Sequence, residues 1–462
     1  MRVVVVGNGM ASARLVEELL ARSDQSGPDL DVTVVGDEPG PAYNRILLSA
    51  VLEGTHPESQ IALQDWRSLE ERGVALLTGS RVAEVDRAAR EVVLEGGRRL
   101  PYDRLVLATG SIPTLPPIRG IVTPEGRLHP TVHAFRSLAD CRRLDEAASQ
   151  GGRAVVVGGG LLGLQVARAL QVRGLEVDLV EGTSHLLSSQ VGEQAGAVIA
   201  RSMRRLGTEV YTHTRAVRLT GQGLRLDNGY TLPADLVVLT AGGRPATAIA
   251  KRAGLFVRRG VVVDGQLRSV TDERIHAIGD CAEHAGRTPG FVAPAWEQAG
   301  ILAEVLTGGK AEYDGSRVVA RLRATDLDVA VLGDPEHTDG EVVEVANPIT
   351  GTYRKLVVRG GVIEAAVMVG DLSRVGLITQ LFDRRTVLGP DEPGLLLMAD
   401  APVATAPLPD EAEVCACAGV TAGRLRRCVD LPTAVAETRA TTGCGGCAQT
   451  VKELVDTAVD GL

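Results

Sequence analysis

The sequence lacks several features that would place it in common classes of protein. Its 462 residues carry a net charge of −9 at pH 7, which argues against a nucleic acid or an anionic membrane as partner. No apolar run approaches the roughly eighteen residues that a membrane-spanning helix needs. Residues 1–9 already form a predicted strand and glycine turn, so we expect no targeting peptide and a cytoplasmic location.

Motifs for hydrolytic chemistry and for histidine-based metal binding are also missing. The eight histidines are scattered, and neither H-E-x-x-H nor G-x-S-x-G occurs. Cysteine is scarce: Cys141 and Cys281 stand alone, and the other five of the seven lie in the last 48 residues. We interpret Cys281 as a packed core thiol. Cysteine-based redox or metal chemistry is therefore expected at the C-terminal end.

Four of these C-terminal cysteines form a C-x-C pair and a C-x-x-C pair, separated by 26 residues. Cys415 and Cys417 make the first pair, and Cys444 and Cys447 make the second. Four thiolates can hold a 2Fe–2S cluster or a zinc ion, and cysteine pairs can also form disulfides. Four-cysteine zinc sites usually have two C-x-x-C pairs, and the sequence carries no secretion signal to support disulfides. The pattern therefore favours a 2Fe–2S cluster.

The surroundings of the second cysteine pair fit a cluster site. Gly443, Gly445 and Gly446 allow the backbone to approach sulfur closely and to donate N–H bonds to it. We predict a tight loop over residues 442–446 that opens a helix over residues 448–459. Cys428 lies between the two pairs and is an alternative ligand.

A nucleotide-binding fingerprint occurs twice, with a constant offset of 151 residues. Each copy is an apolar run followed by glycines and a helical pattern, which is the strand–turn–helix context that dinucleotide binding requires. The first glycine makes the tight turn, the second lets the pyrophosphate approach, and the helix N-terminus presents N–H groups to the phosphates. The first copy has Gly7 and Gly9 but a serine, Ser12, in third position. The second copy is complete, and its glycines are Gly158, Gly160 and Gly163.

Each fingerprint should be followed by an acid that binds the nucleotide ribose at the end of the second strand. After the first copy, a strand over residues 31–35 leads to Asp37 and Glu38. After the second, a strand over residues 176–180 ends at Glu181, and no arginine occurs in residues 182–185. A carboxylate at this position repels a 2′-phosphate, so the sequence favours NADH over NADPH at the second site.

Two more strands end in distinctive motifs on either side of the second fingerprint. Thr109 and Gly110 end one predicted strand, and Asp280 ends the other. In this order the motifs resemble those of two-dinucleotide flavoprotein reductases. In that family the first strand closes the flavin domain, and the aspartate binds the ribityl and phosphate region. The resemblance implies FAD at the first fingerprint.

Three further features fit a flavin site. Arg45 follows the ribose acids and is placed to reach the pyrophosphate. Pro294 suits the first turn of a predicted helix whose N-terminal dipole would stabilise negative charge on reduced flavin. Residues 38–54 contain no cysteine, which excludes a redox dithiol beside the flavin.

The motifs together resemble the N-terminal, electron-input part of the large subunit of NAD(P)H-dependent nitrite reductase. They also resemble the electron-transfer subunit of assimilatory nitrate reductase. The C-terminal tail is similar to the 2Fe–2S domain of bacterioferritin-associated ferredoxin, and residues 316–382 resemble the small domain that ends rubredoxin reductases. The segments that carry the resemblance are residues 6–11, 42–45, 108–111, 157–163, 278–282 and 443–447.

The resemblance implies an α/β two-dinucleotide-binding flavoprotein, in which one Rossmann-like domain is inserted in the other. A small β-rich domain and a small helical four-cysteine domain follow. The predicted boundaries are residues 1–117 and 246–315 for the FAD domain, 118–245 for the NAD domain, 316–382 for the β-rich domain, 383–413 for a proline-containing linker and 414–462 for the 2Fe–2S domain. The linker either tethers a moving cluster domain or packs against the body.

The resemblance also implies a function. NADH would reduce FAD, and the cluster would pass electrons to a separate nitrate or nitrite reductase catalytic subunit, since the sirohaem-binding half is not in this chain. Hydride transfer needs no acid or base residue, so we predict none. Two alternatives remain open: the flavin subunit of an amino-acid or opine dehydrogenase, and a nucleotide-sensing regulator with structural zinc.

Overall fold

The computed structural model describes residues 1–23, 30–288, 290–398, 408–415, 418–442 and 447–459. The strands in chain order are β1 Arg2–Val6, β2 Asp31–Val35, β3 Ala75–Leu77, β4 Val82–Asp86, β5 Glu91–Leu94, β6 Arg99–Pro101, β7 Arg104–Leu107, β8 Ser111–Pro113, β9 Val132–Ala134, β10 Arg153–Val157, β11 Glu176–Val180, β12 Thr208–Tyr211, β13 Ala216–Thr220, β14 Gly223–Leu226, β15 Thr231–Leu232, β16 Leu236–Leu239, β17 Gly243–Pro245, β18 Val261–Val263, β19 Arg268–Ser269, β20 Asp272–Ala277, β21 Ala282–His284, β22 Val319–Ala324, β23 Leu327–Leu332, β24 Glu341–Asn347, β25 Thr352–Arg359, β26 Val362–Val369, β27 Glu413–Cys415 and β28 Val420–Thr421. The helices are α1 Met10–Ser23, α2 Leu48–Glu53, α3 Trp66–Glu71, α4 Leu138–Ala148, α5 Leu161–Val172, α6 Glu193–Arg205, α7 Ala248–Arg252, α8 Val292–Leu306, α9 Val375–Arg384, α10 Glu392–Leu397, α11 Ala422–Leu425, α12 Leu431–Thr438 and α13 Ala448–Val459.

The first of two compact units consists of Met1–Arg45, Glu58–Ile112 and Gly243–Val318. Its main sheet has eight strands in the order β21-β18-β19-β20-β7-β1-β2-β3. β1 lies between β2 and β7 and is parallel to both. Because β1 is covered on both faces, its valines are buried, as a continuous apolar run predicts. The glycine turn of the first fingerprint therefore follows a central strand of the sheet.

The second unit consists of Ile46–Pro57, Pro113–Gly242 and Val319–Leu462. Its nucleotide-binding sheet has five parallel strands in the order β12-β11-β10-β16-β9. β10 occupies the same central place here as β1 does in the first unit. The antiparallel three-stranded sheet β13-β14-β15 lies in the same unit.

One short segment belongs to a different unit from its neighbours in sequence. Residues 46–57 fall inside the predicted first flavin segment, but they group with the second unit. There Leu48 accepts a hydrogen bond from the Cys141 thiol at 3.4 Å, and Leu52 accepts one from the Arg173 guanidinium at 3.1 Å. Helix α2 thus packs on α4 and α5. Sequence periodicity cannot reveal that residues 46–57 group with the second unit, because Cys141 and Arg173 lie about a hundred residues from α2 along the chain.

The β-rich part of the second unit has five antiparallel strands in the order β22-β23-β26-β25-β24. All five lie within residues 316–382, the segment predicted to be β-rich, because their apolar residues alternate and turns separate them. Residues 384–398 of the predicted linker pack against this sheet: Leu388, Leu396 and Leu397 are buried in its core. The linker was expected either to tether a moving cluster domain or to pack against the body, and residues 384–398 are packed. Residues 399–407 lie outside the described residues.

In the C-terminal domain the described residues form β27, β28 and three helices, α11 to α13. Helix α13 has the predicted bounds, Ala448–Val459. Among the helices that the structure describes, none is both long and apolar enough to cross a membrane.

Candidate nucleotide-binding and cysteine sites

The first glycine turn follows β1 in the first unit. Gly7 has φ of +113°, and its N–H donates to the carbonyl of Val35 at 2.7 Å. A methyl group on Gly7 would lie 2.2 Å from the carbonyl oxygen of Ala108, so no side chain fits. Gly9, by contrast, faces open space at the start of α1, where a methyl group would meet nothing within 4 Å. The opening at the helix N-terminus fits a pyrophosphate.

The third position of the fingerprint differs between the two sites for a packing reason. Ser12 is 1% exposed, and its hydroxyl finds no hydrogen-bond partner among the described residues. At the second site a methyl group on Gly163 would lie 1.8 Å from the carbonyl oxygen of Gly158. Helix α1 therefore leaves room for a small side chain at this position, whereas α5 does not.

The two acids after β2 have different surroundings. Glu38 accepts a hydrogen bond from the Tyr43 hydroxyl at 2.7 Å and forms an ion pair with Arg45. Asp37 is largely exposed, and its carboxylate lies 3.9 Å from Arg81. The structure thus holds Glu38 in place and leaves Asp37 at the surface. It pairs Arg45 with Glu38, and a contact of Arg45 with a pyrophosphate stays a prediction.

Asp280 lies beside the first glycine turn. A methyl group on Gly279, the residue before it, would lie 3.1 Å from the side chain of Ala11 in α1. Asp280 accepts a hydrogen bond from the Ser111 hydroxyl at 2.8 Å, and the N–H of Gly279 donates to Gln298 at 2.8 Å. Ser111 and Gln298 were missed from the sequence, because a polar residue one position past a motif or inside a helix carries no signal of its own.

Thr109 and Gly110 close the loop after β7. The Thr109 hydroxyl donates to the carbonyl of Ala246 at 2.7 Å, and Gly110 accepts from the Ala246 N–H at 2.9 Å. Helix α8 contains Pro294 in its first turn, as predicted, and the Trp296 indole donates to the carbonyl of Met10 at 3.0 Å. Helices α1 and α8 therefore lie side by side next to the first glycine turn.

The second glycine turn repeats this geometry after β10. Gly158 has φ of +116°, and its N–H donates to Val180 at 2.9 Å. Gly160 caps α5, and a methyl group on it would meet nothing within 4 Å. The second turn therefore offers the same opening at a helix N-terminus as the first.

Glu181 lies at the end of β11, directly beside the second turn. One carboxylate oxygen accepts the N–H of Gly159 at 2.6 Å. The other accepts the N–H of Thr183 at 2.8 Å and its hydroxyl at 2.9 Å. The structure therefore brings the predicted acid and the predicted glycines together. Thr183, which the sequence analysis did not select, holds the carboxylate in place.

Three of the tail cysteines lie in one small core. Cys415, Cys428 and Cys447 are all buried there with apolar residues of α11 to α13. Cys417 and Cys444, and with them most of the predicted loop, lie outside the described residues. The part of the tail that is described shows no group of three or more metal-ligating side chains. One cysteine of each predicted pair nevertheless reaches the same core, and a set of soft thiol donors fits iron or zinc.

Cys281 is a packed core thiol, as predicted. It is fully buried, and its thiol donates to the carbonyls of Leu107 and Ile278 at 3.2 and 3.3 Å. Burial raises the pKa of this thiol above its usual value, so the neutral form dominates at pH 7.

Comparisons with known proteins agree with this geometry. The family model described as "Pyridine nucleotide-disulphide oxidoreductase" matches residues 1–299, and the "Rubredoxin NAD+ reductase C-terminal domain" matches residues 319–386. A solved covalent complex of putidaredoxin reductase with putidaredoxin superposes with a TM-score of 0.78 at 25% identity, over 87% of this chain and 96% of that chain.

Curated relatives match almost the whole chain. Nitrite reductase [NAD(P)H] of Bacillus subtilis is 33% identical over 98% of this chain and 57% of its own length. The assimilatory nitrate reductase electron transfer subunit of Bacillus subtilis is 31% identical over 98% of this chain and 59% of its own length. The chain thus spans little more than half the length of these relatives. Two matched nucleotide turns, the β-rich domain and the family match lead to one conclusion: the chain belongs to the pyridine nucleotide-disulphide oxidoreductase family.

Proposed function

We propose that this chain is an NADH-dependent oxidoreductase that delivers electrons to a separate reductase protein. The proposed acceptor is the catalytic subunit of a nitrate or nitrite reductase in nitrate assimilation, and the proposed location is the cytoplasm. The observation that carries the proposal is the pair of open glycine turns at Gly9 and Gly160, each at the N-terminus of a helix beside a buried parallel strand. The names of the curated relatives support the choice of acceptor.

The first glycine turn is the proposed FAD site. Gly7 and Gly9 would admit the pyrophosphate, Glu38 would accept hydrogen bonds from a ribose, and Asp280 would face the ribityl and phosphate region. Thr109 and Gly110 would close the flavin pocket by holding their loop to Ala246. When bound, FAD accepts two electrons from a nicotinamide and releases them singly.

The second glycine turn is the proposed NADH site. The first turn of α5 offers N–H groups to the nucleotide phosphates, and Glu181 still has acceptor capacity for ribose hydroxyls. The residues of this site bind and orient the nucleotide, and no side chain is required to move a proton. Residues 38–54 contain no cysteine, so the proposed mechanism uses no dithiol beside the flavin.

The tail is the proposed 2Fe–2S site, with Cys415, Cys417, Cys444 and Cys447 as ligands. The burial of Cys415 and Cys447 in one core supports a single centre that draws on both pairs. A buried thiolate site keeps the centre out of bulk water, which influences its reduction potential. The cluster domain would present this centre to the acceptor protein.

The test uses the full chain purified anaerobically. We expect flavin and about two iron atoms per chain, bleaching of both chromophores by NADH, and electron delivery to a purified nitrate reductase catalytic subunit. Colourless protein that contains zinc would favour the regulator instead. Flavin that is bleached by an amino acid or an opine but not by NADH would favour the dehydrogenase subunit.

Matched cysteine variants separate the two redox sites. Cys447→Ser should abolish iron binding and delivery to the acceptor, while flavin reduction by NADH continues. Cys141→Ser, which also changes a buried cysteine, should keep the iron because it lies beside α2 and far from the tail in sequence. Iron retained at wild-type levels in both Cys447→Ser and Cys415→Ser would refute the proposed ligand set.

A further inference from the structure

The loop that follows β12 is fixed against the acid of the second nucleotide site. The N–H of His213 donates to the carbonyl of Thr183 at 2.8 Å, and the N–H of Thr214 donates to the carbonyl of Glu181 at 3.1 Å. His213 has φ of +53°, so the chain turns sharply at this point. Because both ends of these contacts are backbone atoms, the position of residue 215 relative to Glu181 is set by the main chain.

Arg215 crosses over Gly182, the residue after the acid. A methyl group on Gly182 would lie 3.0 Å from Cγ and 3.3 Å from Nε of Arg215, so the absence of a side chain makes room for the arginine. Arg215 is exposed. Within the described part of the chain its backbone N–H bonds Asp227, and no carboxylate forms an ion pair with its guanidinium. An exposed guanidinium with no ion-pair partner among the described residues therefore crosses the residue that follows Glu181.

The acid itself is less able to repel an anion than the sequence indicates. Three protein donors, two from the backbone and one from the Thr183 hydroxyl, already occupy the carboxylate of Glu181. Hydrogen bonds to a carboxylate stabilise its charge and hold it toward the glycine turn. A bound nucleotide would then meet a carboxylate whose oxygens already accept protein hydrogen bonds, and an exposed guanidinium that crosses the residue after it.

We propose that Arg215 binds the 2′-phosphate of NADPH, so that the second site accepts NADPH as well as NADH. The inference rests on the proposed function of that site and revises the preference expected from residues 182–185. The arginine comes from the loop after the next strand of the sheet, which is why those residues gave no sign of it. A guanidinium binds phosphate oxygens through two parallel N–H bonds, which a backbone N–H group cannot do.

The test compares Arg215→Ala with Arg225→Ala, an exposed arginine on β14 of the neighbouring antiparallel sheet. We expect Arg215→Ala to lower kcat/KM for NADPH roughly tenfold or more, through KM, and to change the value for NADH less than about twofold. Arg225→Ala should leave both values unchanged. Arg215→Lys should recover part of the loss, because lysine keeps the positive charge but cannot form the two parallel N–H bonds of a guanidinium.

A binding measurement that is independent of electron transfer completes the test. Calorimetry on the full chain should show tighter binding of 2′,5′-ADP than of 5′-AMP, and Arg215→Ala should remove that difference without lowering the melting temperature. Equal affinity of the wild-type protein for the two ligands, or equal losses in Arg215→Ala and Arg225→Ala, would overturn the inference. Loss of 2′,5′-ADP binding in Arg215→Ala, in a protein whose flavin neither nucleotide reduces, would uphold the inference and refute the proposed function.

Discussion

Replacing Gly163 by alanine sets two known effects against each other. In most helix interiors this change stabilises the protein by about 0.5–1 kcal/mol, because alanine has the higher helix propensity. In α5, however, the new methyl group would lie 1.8 Å from the carbonyl oxygen of Gly158 and 2.9 Å from the Thr240 hydroxyl. The close atom belongs to the backbone of a glycine turn, so it cannot rotate away as a side chain does.

The packing effect should win. Relief of the contact requires α5 to move from β10 by roughly 1 Å, and overpacking of this kind typically costs about 1–3 kcal/mol. After the gain in propensity is subtracted, we expect a net loss of up to about 2.5 kcal/mol and a melting temperature lower by roughly 1–4 °C. The same movement opens the glycine turn, so affinity for NADH should fall while bound FAD is kept.

Two control variants make the Gly163 experiment decisive. Gly300 lies inside α8, where a methyl group would meet nothing within 4 Å, so Gly300→Ala should stabilise the protein. Gly160→Ala also meets no protein atom, so it should keep the melting temperature but block the phosphate site. Differential scanning calorimetry and NADH titration measure both quantities. Wild-type stability together with wild-type NADH affinity in Gly163→Ala would refute the packing argument.

Two further predictions concern the core. Burial, together with the nearby cation Arg104, lowers the pKa of His276 from 6.5 to about 4, so the unfolded chain binds a proton that the folded chain does not. Stability should fall as pH drops from about 6.5 to 4, and His276→Leu should flatten this part of the pH profile in urea unfolding; an unchanged slope would contradict it. Leu397→Ala empties a fully buried position where α10 packs on the β-rich sheet, and should cost about 2–5 kcal/mol in the same assay. A loss below about 1 kcal/mol would mean that residues 384–398 act as a tether.

Local chemistry in the sequence determined the fold family and most of the elements. Strands Asp31–Val35 and Glu176–Val180 and helix Ala448–Val459 have the predicted bounds, because apolar periodicity and turn residues act over short distances. The glycines of both fingerprints, and the acid Glu181, could be selected for the same reason: each is required by a turn or a strand end. The boundaries of the proposed cofactor domains and the roles of the site residues stay predictions.

Tertiary structure alone decided which distant residues meet. It placed Arg215 over Gly182, moved residues 46–57 to the second unit and packed residues 384–398 on the β-rich sheet. It also distinguished Ser12 from Gly163, although the two occupy the same position in their motifs. The physical reason is the same for these four features. The order of the strands and the distance between helix and sheet fix these contacts, and the local sequence around each residue determines neither.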